Sequence, residues 1–153
     1  MALIGLPQDF RFAVFNQLGS SISNAPVGLP TVAGRRLRFD PNGLLSYETA
    51  AFSFFGPGGA ASLANNGYLT GPAWSNTASG WLSLEGTLSA FASGNLSGTL
   101  ALYLEVSPDG GVTWPSPASA NGPGGGILVA ALGFGSTTTN STASTTRIQD
   151  FTV

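Results

Sequence analysis

The chain has 153 residues, of which only 8% are charged, against roughly 25% in ordinary soluble domains. Its net charge of −2 leaves no basic footprint for nonspecific nucleic-acid binding. His, Cys and Lys are all absent. That excludes Ser-His-Asp and Cys-His nucleophile systems, an ordinary zinc site, a Lys Schiff base, a Walker-type phosphate loop and any disulfide framework.

The length fits one domain with a real core, and 42% hydrophobic content with ten Phe argues against disorder of the chain as a whole. The N-terminus, Met1 to Pro7, lacks a basic region and is interrupted by Pro7, so it does not read as a signal peptide. Synthesis in a cytoplasm without secretion is the expectation. Phe10-Arg11-Phe12-Ala13-Val14-Phe15 is aromatic and β-branched, which predicts a strand. Ser20 to Pro30 is polar and Pro-interrupted and reads as a loop or extended arm. Arg35-Arg36-Leu37-Arg38-Phe39 predicts another strand, ended by the turn signal Asp40-Pro41-Asn42-Gly43. Leu44 to Phe55 fits either strand or a short helix.

Further on, alternation becomes regular. In Trp81 to Ser89, Leu82, Leu84 and Leu88 share one face while Ser83, Glu85, Thr87 and Ser89 share the other. Thr99 to Val106 repeats the pattern with Leu100, Leu102, Leu104 and Val106. Residues 107–114 then read Ser-Pro-Asp-Gly-Gly-Val-Thr-Trp, with S-x-D-x-G-x-T-W at every fixed position. Asp109 is placed to accept bonds from the turn's own N–H groups, the glycines permit positive φ, and Thr113 and Trp114 are expected to begin the return strand. After a Pro/Gly loop, Ile127 to Phe134 reads as a more fully apolar strand, with a run too short to span a membrane. Ser136 to Thr146 is a Ser/Thr-rich stretch expected as an exposed loop, and Arg147 to Val153 closes with a last strand. Short strands punctuated by 22 Gly and ten Pro predict an all-β antiparallel sandwich or jelly roll with an extended N-terminal region. The expected division is strands and arm over residues 1–60 and a sandwich core over 61–153, in one structural unit.

Four sets of side chains are candidates for function. Glu85 and Glu105 form the acid pair a glycosidase would use if both lay on one side of one sheet; a solvated strand face is the alternative. Arg35, Arg36 and Arg38 are a candidate partner contact, since guanidinium forks bind carboxylates bidentately, or else the guard of an edge strand. Trp74, Trp81 and Trp114 with Tyr68 and Tyr103 offer an aromatic platform for sugar rings or serve the core. Asp109 alone falls short of the oxygen set of calcium, so no metal and no cofactor is expected. The sequons Asn95-Leu96-Ser97 and Asn140-Ser141-Thr142 read as chance matches in a Ser/Thr-rich chain. With so few charges, Ser, Thr, Asn and Gly supply the polar surface. That fits a component of a larger assembly, with a soluble monomer of neutral surface as the alternative.

Ser107, Asp109, Gly111, Thr113 and Trp114 together resemble the Asp-box, a turn known from sialidase propellers and other β-folds. It occurs once here, so a propeller is not expected. Over roughly Ala61 to Val153, the chain also resembles small virion proteins of tailed bacteriophages. That likeness rests on Tyr68-Leu69-Thr70, the strand Trp81 to Ser89, and Leu102 to Gly111 followed by Thr113-Trp114-Pro115. It implies a non-enzymatic β-sandwich that decorates or cements the head, often as a trimer, bound to the major capsid protein or other virion proteins. No direct contact with nucleic acid or membrane is implied. A tail component, or a carbohydrate-binding host adhesin, is the rival reading.

Overall fold

The structure is a computed structural model that describes residues 6–23, 30–48, 52–55, 62–78, 80–93, 96–115, 125–134 and 144–153. Among them there are strands and no helix, and every pairing is antiparallel. The strands are β1 (Asp9–Gln17), β2 (Ile22–Ser23), β3 (Thr31–Phe39), β4 (Leu45–Tyr47), β5 (Phe52–Phe55) and β6 (Ser62–Leu63). They continue with β7 (Tyr68–Ser75), β8 (Ser83–Ser93), β9 (Gly98–Val106), β10 (Ile127–Phe134) and β11 (Ser144–Thr152). One sheet has the order β10-β9-β1-β7; the other runs β11-β8-β3-β4, with β5 also beside β3, and β2 pairs with β6 as a separate ribbon. The protein is a β-sandwich.

The alternating pattern of β1 builds the interior. Phe10, Phe12 and Val14 point between the sheets and are completely buried. From β9 come Leu100, Leu102 and Leu104; from β8 come Leu84 and Leu88, the Leu face expected from the sequence. Each such side chain contributes about 1.5–3 kcal/mol on burial. Phe12 meets Phe151 of the opposite sheet at a centroid distance of 5.8 Å, which joins the layers across the core. Phe151 fits there because its cross-strand partner is Gly86: a Cβ at that position would lie 2.5 Å from the Phe151 ring.

Two buried asparagines fix the connections. Asn16 donates through Nδ2 to the carbonyls of Ser20, Leu63 and Ala64, and accepts from the Leu18 N–H. Asn76 donates to the carbonyls of Leu6 and Trp81 and accepts the Trp81 N–H at 2.7 Å. Both satisfy backbone groups that would otherwise be buried without partners.

Two strands of the N-terminal third are central ones. β1 lies between β9 and β7 at the centre of its sheet, and β3 pairs with β8 at the centre of the other. A boundary at residue 60 therefore cuts through both sheets. Of the expected loop Ser20 to Pro30, residues 24–29 lie outside the described residues, and Ile22–Ser23 is paired strand. Leu44 to Phe55 resolves as the strands β4 and β5 where it is described, not as helix. Ser144 to Thr146, expected as loop, already belongs to β11; residues 136–143 lie outside the description. The more fully apolar strand Ile127 to Phe134 is a sheet edge, with Ile127 59% and Leu128 57% exposed.

Candidate functional site

The turn at residues 107–114 is held by its own side chains. Asp109 Oδ1 accepts the Thr113 N–H and the Ser107 hydroxyl, and Oδ2 accepts the Thr113 hydroxyl at 2.7 Å. Ser107 Oγ in turn accepts the Gly111 N–H at 2.8 Å. Gly110 and Gly111 have φ of 74° and 87°, a region that Cβ-bearing residues rarely adopt. Hydrogen bonds from Thr113 and then from Ser107 hold the Asp109 carboxyl below its usual range. Thr113 and Trp114 do not start a strand, however; the return strand β10 begins at Ile127. Trp114 instead lies against Arg11 of β1.

There Trp114 meets a charge network. Its indole N–H donates to the Gly111 carbonyl, and the Arg11 guanidinium lies 4.5 Å from the ring centroid. Arg11 and Glu105 are register partners on β1 and β9, and Arg11 Nε donates to Glu105 Oε2 at 2.6 Å. Tyr68, on β7, donates its hydroxyl to Glu105 Oε1. Glu105 is 1% exposed. Burial, and then the bond to this carboxylate, push the Tyr68 phenol far above its ordinary value.

A second network stands at the other sheet. Arg36 is 5% exposed, is paired with Glu48, and lies 3.6 Å from the Trp81 ring centroid and 5.6 Å from that of Trp74. Trp81 Nε1 donates to Glu48 Oε1 at 3.3 Å. The backbone reinforces this, since Glu48 N–H donates to the Arg36 carbonyl.

These placements correct several expectations. Arg36 cannot serve as a surface contact, because its inward position on β3 buries it among tryptophans; Arg35 and Arg38 remain exposed. Glu85 and Glu105 belong to different sheets, on β8 and β9, so they do not form an acid pair on one sheet face. Glu85 is exposed and accepts the Tyr47 hydroxyl at 2.6 Å, a bond that raises the Tyr47 phenol above its ordinary value. Trp81 is buried, while Trp74 and Trp114 are half-buried against arginines. The expected aromatic platform is thus dispersed into two clusters.

Sequence reasoning missed Arg11, Glu48, Asn16 and Asn76. For Arg11 a signal existed: a lone charge amid an aromatic strand needs a partner, and Glu105 in an equally apolar strand was the match. On the outer face of the second sheet, Arg35, Glu85, Thr87, Asp150 and Thr152 line an open groove of about 700 Å³. Within it Thr87 already donates to Asp150 at 2.9 Å. Among the described residues, no three acidic side chains gather as a metal site requires.

Comparison with family models, with curated proteins and with solved structures finds no match.

Proposed function

We propose that this chain is a non-enzymatic structural protein of a tailed-phage virion, a decoration or cement protein seated on the major capsid protein. One observation carries the reading. Six of the twelve charged side chains hold the fold together, while exposed large apolar side chains gather around β3 and β4 and on β10, with Val112 and Ile148 exposed singly elsewhere. Arg11, Arg36, Glu48 and Glu105 are spent in ion pairs, Asp109 in its turn, and Asp40 in the turn between β3 and β4. Phe39, Leu44, Leu45 and Tyr47 are exposed around β3 and β4, and Ile127 and Leu128 on β10. A neutral surface with exposed apolar side chains fits a protein that works by being covered. Association then draws on apolar burial at about 25 cal/mol per Å², with Arg35 and Arg38 left to fix register.

The test is quantitation of the chain in purified particles of the virus that encodes it. The expected result is a copy number comparable to that of the capsid protein, retained in about 1 M NaCl, where the Debye length is about 3 Å. Release by salt, or recovery of only a few copies per particle, overturns the decoration role; the second result moves the chain to the tail. Binding to immobilised glycans that is lost in Tyr47→Ala would favour the adhesin reading instead.

A further inference from the structure

Each sheet of a sandwich ends in strands whose outer N–H and C=O groups invite another strand, and folded proteins guard such edges. Three edge regions here carry a recognised guard. β7 has Pro72 at a register shift opposite β1, where a missing N–H and a local kink both oppose pairing. β11 carries Arg147 and Asp150. β4 and β5 are only three and four residues long.

β10 differs. It has eight residues, Ile-Leu-Val-Ala-Ala-Leu-Gly-Phe, with no charge and no proline. Like β7 it has a register shift, between Leu128 and Ala130, but beyond that point Ala130 to Phe134 pairs with β9 without interruption. A second observation points to the same stretch. Gly133 lacks a positive φ, and a Cβ built on it would meet nothing within 4 Å. Among the described residues nothing requires a glycine there, and in a strand it costs about 0.5–1 kcal/mol relative to Ala.

We propose that β10 is an interface at which a second copy of this chain pairs antiparallel, joining two four-stranded sheets into one of eight strands. The stretch Ala130-Ala131-Leu132-Gly133-Phe134 complements itself about Leu132. Phe134 of one copy falls opposite Ala130 of the other, Ala131 falls opposite Gly133, and the two Leu132 side chains meet at the centre. Ala130, Leu132 and Phe134 are the inward, buried residues of β10, so this pairing continues the apolar core row across the join. Charge selects the partner as well. An uncharged strand with uncharged flanks leaves nothing to compensate a charged one, and a copy brings an identical neutral edge. The guarded edges direct this pairing to β10 against β10, an isologous contact that gives an even number of subunits. The proposal does not rest on the virion reading.

The experiment is size-exclusion chromatography with light scattering at about 100 μM protein, above the micromolar range expected for so small an interface. The wild type is expected to have the mass of a dimer. Ala131→Lys/Gly133→Lys places like charges opposite each other across the join and should give a monomer with unchanged far-ultraviolet circular dichroism. The control Ile148→Lys/Gln149→Lys, on the guarded β11 edge, should remain dimeric. Amide exchange in the wild type provides the readout independent of variant folding: residues 130–134 should become more protected as concentration rises, with β7 unchanged. A monomeric or trimeric wild type, a dimeric β10 variant, or concentration-independent exchange over 130–134 overturns the proposal.

Discussion

The two sheets solve the same problem with the same residue types and to different ends. Each commits one arginine to a glutamate and to a tryptophan face. On the four-stranded sheet, Arg11 and Glu105 are neighbours across one ladder, and Trp114 arrives from the connection after β9. That cluster fastens a loop to one sheet. On the five-stranded sheet, Arg36 sits against Trp81, just before β8, and against Trp74 of the opposite sheet. That cluster ties one sheet to the other. Burial differs as well: Glu105 is 1% exposed, whereas the Glu48 side chain is 16% exposed. The carboxylate sealed from water depends entirely on its partners, while the other retains some solvent.

The sharpest way to break the comparison is to remove one arginine at a time. Arg11→Ala leaves the Glu105 carboxylate buried with the Tyr68 hydroxyl, and should cost about 3–5 kcal/mol by urea unfolding. The double variant Arg11→Met/Glu105→Leu should recover most of that loss, because it removes the unpaired charge along with the pair. Equal losses in the single and double variants would mean that the contacts Arg11 and Glu105 make to Trp114 and Tyr68, rather than the unpaired charge, carry the cluster.

Arg36→Ala should cost less, about 2–3 kcal/mol, because water reaches the abandoned Glu48 and part of the loss is the cation–π contact. Arg36→Lys should fall between wild type and Arg36→Ala: an ammonium keeps the charge but loses the planar stack on Trp81. Urea unfolding of both variants beside Arg11→Ala gives the ranking. If Arg36→Ala proved the more damaging, joining two sheets would outweigh the burial of a carboxylate.

How far these features were legible in the sequence differs between the clusters. The ladders of β8 and β9 followed from alternation, because one face of each strand packs inward and Leu repeats every second residue. Asp40-Pro41-Asn42-Gly43 was legible from turn chemistry: Asp40 Oδ1 accepts the Asn42 and Leu44 N–H groups, and Gly43 has φ of 78°. Arg36 was not legible as a buried group. Its neighbours Arg35 and Arg38 are exposed, and the tryptophans that bury it come from β7 and from the segment before β8, which only the folded chain brings together. β10 was legible as a strand but not by its place. An apolar run reads as an interior strand by composition, and nothing local reveals that it is the last in its sheet.

The smallest expected effect tests whether the turn and the Arg11 cluster act as one unit. Asp109→Asn loses the acceptor for the Thr113 hydroxyl but keeps an oxygen for its N–H, so melting should fall by about 1–3 °C at neutral pH. The pH dependence has a definite sign. Because the folded carboxyl is held below its ordinary value, the stability it supplies is fully present above about pH 4 and is lost as pH falls through the lower, folded value. The wild type should therefore converge on Asp109→Asn in acid and separate from it above pH 4. The Trp114 indole N–H, which donates to Gly111, provides the local readout by nuclear magnetic resonance. If its exchange quickens in Asp109→Asn while that of the Arg11 guanidinium stays slow, the turn is an independent clip on the sheet. If both quicken together, Trp114 transmits the order of the turn to the ion pair beneath it, and the four-stranded sheet depends on its loop as the five-stranded sheet depends on Trp81.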